Sequence, residues 1–372
     1  MAHLTQDSTF TLGRRPAGLI YADNAKSFGG YTLFAPQTAE GRVYLVDEQG
    51  EVAHQWQLPV RAGRDAVLLP NGNLGYNGSH RTSANLYPAW DLWHGGDFYE
   101  VTPDNEIVWH YEDIYHHHDA QWLANGNLLY TAASQLPADI AARVTGGDPR
   151  RDAPDGVIQS DVVKEVNRDG EVVWEWRAWE HLNPEDFPIH DIFDRRHWPM
   201  INGLSVTRDG LVLMSLRTTS GVIAVDKESG KVIWHAGPEV VAQQHTPVEM
   251  ENGSILVFDN GNLRPGVTSP HSTVLEFDPQ TKAITWQYRD IFPSAFSRRI
   301  WGARSGWRTA TPLSVNRRLA ACLKSPRKAK RYGNISFRSL MNIRSTSVKA
   351  LFLENRTAPS VRIAMPLMPL VG

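Results

Sequence analysis

The sequence predicts an all-β fold, a six-bladed β-propeller of four-stranded blades, and three observations carry that expectation. A strand–turn–strand unit recurs five times along the chain. A second hairpin, built on Asn-Gly or Asp-Gly turns, recurs between its copies. Together the two hairpins make a unit of roughly 50 to 65 residues, the size of a propeller blade.

Residues 1–37 read as a segment joining the propeller, which is expected over 38–303. The first unit is "GRVYLVDEQGEVAHQW" from Gly41 to Trp56. It returns as "GDFYEVTPDNEIVWHY" from Gly96 and "DVVKEVNRDGEVVWEW" from Asp161. Two more copies are "GVIAVDKESGKVIWHAG" from Gly221 and "STVLEFDPQTKAITWQY" from Ser272. Each alternates apolar and polar residues around a turn rich in Asp, Asn and Gly, the pattern of a β-hairpin. Each ends in an aromatic (Trp56, Trp109, Trp174, Trp234 and Trp286), expected to pack between blades. The second hairpin appears as "AVLLPNGNLGYNG" from Ala66 and "DAQWLANGNLLYTA" from Asp119. It recurs as "NGLSVTRDGLVLMSLR" from Asn202 and "HTPVEMENGSILVFDNG" from His245.

The pattern stops near Ile300, so five blades are readable and the sixth is expected to be disrupted after about residue 303. From Ile291 onward Glu354 is the one acidic residue, against sixteen Lys and Arg. Taking these from the totals of 38 basic and 40 acidic residues leaves 22 and 39. A body near −17 therefore carries a tail near +15. Read one nucleotide out of phase, Gly306 to Asn316 can encode "LANGNTPLCE" and Arg318 to Ile335 "FGRLFEVTAKGEAVWEY". These strings are the missing hairpins, the second a near copy of Phe98 to Tyr111. A frameshift near Arg304 that put an out-of-frame basic tail over 304–372 accounts for both the lost pattern and the lost acids.

The composition sets further bounds. With 372 residues, 41% hydrophobic and 13 Trp, the chain is not mostly disordered. No apolar run reaches the ~18 residues of a membrane helix. The first twenty residues lack the apolar stretch of a secretory signal, so a cytoplasmic location is the expectation. The lone Cys322 excludes a disulfide framework and a Cys-based zinc site. Nucleic-acid motifs are missing outside the tail, and a basic tail alone is weak ground for such a partner. No nucleic-acid and no membrane partner is expected.

A propeller brings its inner strands to a central channel, which makes residues at the starts of those strands the candidates for chemistry. Here these are Asp65, His118, Asn202 and His245, with Arg217 closing "LVLMSLR". Two imidazoles, an amide and a guanidinium around one opening suit an anionic, oxygen-rich group. Arg offers planar donors, and neutral His can attack or relay protons. In "HHHDAQW", His116 and His117 read as solvated or loop residues. Strand alternation would set His116 and His118 on one face, which leaves a metal open there. Asp259 and Asn260 in "FDNG" read as turn formers.

The pieces "SLRTTSGVIAVDKESGKVIW", "QQHTPVEMENGSILVFDNG" and "HHHDAQWLANGNLLY" resemble the bacterial arylsulfate sulfotransferases, six-bladed propellers, from about Tyr21 to Ile300. The resemblance implies transfer of a sulfuryl group from an aryl sulfate to a phenol through sulfohistidine, with no nucleotide sulfate donor and no cofactor or metal. It implies that His245 is the nucleophile, Arg217 the anion-binding Arg, Asn202 the channel Asn and His118 a second catalytic His. The family carries a His two residues before that Asn; here Met200 stands in "PMIN". His197, three residues before Met200, is the imidazole expected to reach the substrate. Family enzymes are often periplasmic, against the absence of a signal here. Two other classes stand beside this one. A quinone-dependent dehydrogenase-like propeller has repeats that also end in "G-x-V-x-W", but a carboxylate-rich calcium site is not evident here. A binding scaffold without chemistry fits Met200 and the lost blade.

Sequencing the gene around codons 300 to 306 is expected to reveal a one-nucleotide slip against related genes; relatives ending in this same tail in an unslipped frame would refute the frameshift.

Overall fold

The computed structural model describes residues 30–289, apart from positions 38, 48, 89, 91–93, 263, 265 and 268, together with 346–349. The first sheet holds β1 (Thr32–Pro36), β2 (Arg42–Val46) and β3 (Val52–Gln57). The second holds β4 (Ala62–Leu68), β5 (Leu74–Ser79), β6 (Gly96–Val101) and β7 (Ile107–Glu112). In the third, β8 (His116–Trp122), β9 (Leu128–Gln135), β10 (Gln159–Val166) and β11 (Val172–Arg177) form the ladder. Short helices α1 (Ala138–Ala141) and α2 (Ala178–His181) lie in insertions around it, and β12 (His197–Trp198) runs parallel to β10. The fourth sheet is β13 (Ile201–Val206), β14 (Val212–Leu216), β15 (Gly221–Val225) and β16 (Val232–Ala236). The fifth is β17 (His245–Glu249), β18 (Ile255–Asp259), β19 (Thr273–Phe277) and β20 (Ile284–Tyr288). A last strand, β21 (Thr346–Lys349), pairs antiparallel with β1.

Among the described residues this is a β-propeller of five sheets, each with a four-stranded ladder, which corrects the expectation of six blades. The residues expected to carry the sixth fall mostly in 290–345, outside the described residues. The tail enters the described fold only as β21, which gives the first sheet its fourth strand in the order β21-β1-β2-β3. Among the described residues no helix is long and apolar enough to cross a membrane.

Apolar clusters lie between neighbouring sheets, as alternating strands require when both faces of a sheet are covered. Leu33, Val43 and Trp56 meet Leu74 and Tyr76 between the first and second sheets. Phe98 and Trp109 meet Leu128 and Tyr130 between the second and third. Leu129, Val163 and Trp176 meet Leu204, Met214 and Ile223 between the third and fourth. Leu213, Val222 and Ala224 meet Val257, Leu275 and Phe277 between the fourth and fifth.

At the outer rim the Trp series does more than pack. The indole N–H of Trp56 donates to Thr102 O at 3.0 Å, that of Trp109 to Arg168 O at 2.8 Å and that of Trp174 to Lys227 O at 2.8 Å. Trp176 donates to Gly230 O at 2.9 Å. Every acceptor is a turn carbonyl of the following sheet. Cations from those turns cover the rings: Arg168 over Trp109 at 4.9 Å, Lys227 over Trp174 at 5.6 Å and Lys282 over Trp234 at 4.8 Å.

The repeated Asn-Gly-Asn turns have a parallel use. The amides of Asn71 and Asn73 donate to Glu100 Oε1 at 2.8 and 2.7 Å, and Arg168 pairs with Glu100 at 2.6 Å. In the third sheet Asn125 and Asn127 bind Glu165, which Lys227 of the fourth sheet also meets. In the fifth, Asn252 and Ser254 bind Glu276. Burial alone would raise the Glu100 carboxyl. The amides of Asn73 and Asn71 and the Arg168 guanidinium outweigh it and hold that carboxyl below its ordinary value. Lys227 and the two Asn amides do the same for Glu165.

A depressed carboxyl contributes stability that is present above its unfolded pKa, about 4.3 for Glu, and is lost as pH falls through the folded value. Acid unfolding followed by tryptophan fluorescence should therefore steepen below about pH 4.3. A Glu100→Gln/Glu165→Gln double variant should be less stable at neutral pH and show a flatter acid limb, and superimposable acid limbs would remove these glutamates from the account. Trp174→Phe, which keeps most of the ring but deletes the indole donor, should lower stability by about 1–2 kcal/mol in urea titration.

Candidate active site

Three of the candidate residues stand at the starts of inner strands. His118 is the third residue of β8, Asn202 the second of β13 and His245 the first of β17. Arg217 follows the last residue of β14, whose Leu216 pairs with Ile201 at the start of β13. The same irregularity marks every inner strand from β4 to β17. The register shifts between Ala62 and Ala66, His116 and Ala120, Ile201 and Gly203, and His245 and Val248. Such bulges bend a strand end and re-aim its side chains. Left-handed backbone accompanies them in residues with side chains: His118 has φ 58°, Met200 60°, Gln243 53° and Thr246 50°. Glycine serves close approach at Gly203, where an added Cβ would lie 2.7 Å from Thr246 N.

Side chains from neighbouring sheets take up backbone groups at these strand starts. Asp161 Oδ1 accepts from Ile201 N at 2.9 Å and Asp119 Oδ2 from Leu204 N at 2.9 Å, tying β13 to the third sheet. On the other side Asn202 Nδ2 donates to Gln244 O at 2.9 Å and Ser205 Oγ to Pro247 O at 2.6 Å. Asn202 thus sits against the residue that precedes His245.

His245 is half-buried, and its Nδ1 lies 2.6 Å from Asn260 Oδ1. Because that oxygen can only accept, the proton of neutral His245 is on Nδ1 and the lone pair is on Nε2. Asn260, read from sequence as a turn former, is therefore the residue that sets the tautomer. Its neighbour Asp259 is buried and accepts from Ala242 N at 2.6 Å and from Arg264 at 2.5 Å. Burial raises the Asp259 carboxyl despite Arg264.

Arg217 is 5% exposed. Its guanidinium lies 5.0 Å over the Phe193 ring, and Nη1 is 3.6 Å from Met200 Sδ. Burial lowers it to about 10, with Tyr87 acting in the opposite direction, so it is a cation at neutral pH. Among the described residues no carboxylate pairs with it. A buried guanidinium without a counter-charge can hold an anion. The sequence departure at Met200 lies directly against it.

His118, 5% exposed, meets His117 through their Nδ1 atoms at 2.8 Å. His117 Nε2 and His197 Nε2 each lie 3.2 Å from Asp161 Oδ1, and Tyr87 Oη lies 2.9 Å from His197 Nδ1. The five side chains form one connected group behind the channel. Burial acts to raise the Asp161 carboxyl, but His197 and His117 outweigh it and hold it well below the usual carboxylate range.

Several expectations change here. His116 and His117 are not solvated or loop residues: both are fully buried on β8. The interior tolerates them because each ring finds partners there, His116 with Thr131 O at 2.8 Å and Asn77 at 3.0 Å. His197 is 1% exposed, with its ring nitrogens on Asp161 and Tyr87. The side chain of Asp65 lies outside the described residues. Asp161, Tyr87, His117 and Asn260 were missed. One of these had a signal: Asp161 occupies the place held by Gly41 and Gly96 in two other copies of its hairpin.

The arylsulfotransferase (ASST) family model matches residues 16–242. The chain belongs to the arylsulfotransferase family. The match takes in His118, His197, Asn202 and Arg217 and ends three residues before His245. No curated protein matches the chain. Among solved structures, a protein of unknown function from Bacteroides caccae is similar at 13% identity, over 69% of this chain and 72% of that one, with a TM-score of 0.42. A streptogramin B lyase is similar at 10% identity over 75% and 73%, with a TM-score of 0.42. Virginiamycin B lyase from Staphylococcus aureus is similar at 10% identity over 75% of each chain, with a TM-score of 0.40.

Asn260→Ala should release the His245 tautomer. A hydrogen bond worth about 1 kcal/mol biases two tautomers roughly fivefold. Ring-nitrogen NMR should find His245 with its proton on Nδ1 in the parent protein and a mixture in the variant. An unchanged spectrum would mean that Asn260 does not set the proton's place.

Proposed function

We propose that this arylsulfotransferase-family chain moves a sulfuryl group from an aryl sulfate to a phenol through a sulfohistidine at His245, without a nucleotide sulfate donor. The observation that carries the reading is the buried, unpaired Arg217 at the channel end where the bulged strands begin, in a sheet next to that of a His245 whose lone pair is on Nε2.

In the first half-reaction Nε2 of His245 attacks sulfur, the bond from sulfur to the aryl oxygen breaks, and that oxygen takes a proton from His118 and leaves as phenol. Arg217 offsets the negative charge on the sulfuryl oxygens as the bond breaks, and Asn202 positions the strand start beside His245. Acceptor phenol then attacks the sulfur of sulfohistidine, the nitrogen–sulfur bond breaks, and the phenol gives up its proton. His118 handles the proton in both halves, held in place by His117 and, through it, by Asp161. The products are a new aryl sulfate and the starting imidazole, so atoms and charge balance without a cofactor.

Met200 favours a second reading, a propeller that binds aryl sulfates and does not turn them over. A thioether neither moves protons nor holds an anion, and it occupies the place beside Arg217 where the family pattern has an imidazole.

Intact-mass spectrometry after exposure to 4-nitrophenyl sulfate, without acceptor, separates the two. Transfer predicts a gain of one sulfuryl group that vanishes on adding phenol and never forms in His245→Asn. No adduct on a folded chain would leave the binding reading. Met200→His should raise turnover about 10²-fold, the lower end of what a placed acid–base group contributes. Arg217→Ala should reduce turnover about 10²–10³-fold, as loss of an oxyanion donor does.

A further inference from the structure

We propose that His117, Asp161 and His197 form a buried site for a divalent first-row transition ion of the zinc type, in contact with His118. Three donors from three strands converge there: His117 from β8, Asp161 from β10 and His197 from β12. All are buried, with exposures of 0, 0 and 1%. The two Nε2 atoms each lie 3.2 Å from Asp161 Oδ1, and one donor atom from each residue falls within 4.8 Å of the others. Donors bound tetrahedrally at zinc distances of about 2.0–2.1 Å stand roughly 3.2–3.5 Å apart. Both separations from Asp161 Oδ1 match that spacing.

The chemistry of the donors agrees. Two imidazoles and one carboxylate, with room for a further ligand, are a donor set for zinc or another first-row ion rather than for calcium or magnesium. Asp161 is unevenly used: its Oδ1 accepts from Ile201 N and His197, whereas its buried Oδ2 has no hydrogen-bond partner among the described residues. An ion would place positive charge beside that bare oxygen. The outer contacts are of the kind that orient metal-bound histidines. Tyr87 Oη meets His197 Nδ1 at 2.9 Å and His118 Nδ1 meets His117 Nδ1 at 2.8 Å. Trp90 and Tyr87 close an aromatic wall against the two rings.

Each ring would meet the ion through the Nε2 lone pair and carry its single proton on Nδ1, so a proton held on Nε2 beforehand moves to Nδ1 or leaves to solvent. His117 then donates to His118 Nδ1, so His118 carries its own proton on Nε2. That last consequence matters only if the sulfuryl-transfer reading holds; the metal site does not depend on it.

A second group of donors provides the internal control. Asp97, His110 and Glu112 also come together, but His110 and Glu112 are exposed. The test is equilibrium dialysis of the full chain against Zn²⁺ with metal counted by mass spectrometry, repeated with Co²⁺ to read visible absorption of a low-symmetry site. The expected result is one ion per chain. His197→Gln and Asp161→Asn should each weaken binding at least 10²-fold, Tyr87→Phe by about 10-fold, and His110→Gln and His245→Asn not at all. Circular dichroism accompanies each variant; if Asp161→Asn does not fold, His197→Gln and Tyr87→Phe decide. The proposal is overturned by no stoichiometric ion on the parent chain, by binding that survives His197→Gln, or by binding that only His110→Gln removes.

Discussion

In the described propeller no hydrogen-bonded ladder joins one sheet to the next, so contact between sheets falls mainly to side chains. This constraint shapes both ends of the blades. At the rim it is met by indoles reaching turn carbonyls and by cations lying on the same rings. At the channel it is met by carboxylates and amides that take up backbone groups of the adjoining inner strand. Apolar clusters fill the space between and supply cohesion without direction, whereas the polar contacts fix how far each sheet is rotated against its neighbour.

The channel end is where these demands produce a site. A bulge takes backbone groups out of the ladder, and a buried group released in this way must find another partner. Asp119, Asp161, Asn202 and Ser205 meet that need around β13 and β17, and in doing so gather charge and polar donors at one place. The left-handed residues His118, Met200 and Thr246 belong to the same strand starts. Unfavourable backbone of this kind persists only where the surroundings over-determine it, and here the surroundings are the polar contacts that hold the inner strands together.

Much of this was legible in the sequence. The hairpin repeat gave the blades, and the register of the repeat put His118, Asn202 and His245 at the starts of inner strands and Arg217 just past the end of β14. The Trp series was read as packing, which it is, but donation from the indole nitrogen depends on a turn in another sheet and leaves no local trace. His117 was missed because alternation sends neighbouring residues to opposite faces, and the bulge between His116 and Ala120 breaks that rule. Asn260 was taken for a turn residue on its Asp-Asn-Gly context, although its side chain serves His245. The strand at Thr346–Lys349 lies in a segment without alternation, and only its pairing with β1 gives it an identity.

The rim contacts all run in the same sense: Trp56, Trp109, Trp174 and Trp176 donate forward, each to the sheet that follows in the chain. Such an assembly has a handed order, like a row of tiles each overlapping the next. Its energetics approach those of a one-dimensional array, in which a unit answers mainly to its two neighbours. A change beyond the fifth sheet is then felt first at the outermost sheets, the first of which pairs with β21, and fades inward. The third and fourth sheets, which supply His118, Asp161, Asn202 and Arg217, each have both neighbours in place. An altered end of the chain and an intact polar centre can therefore coexist in one molecule.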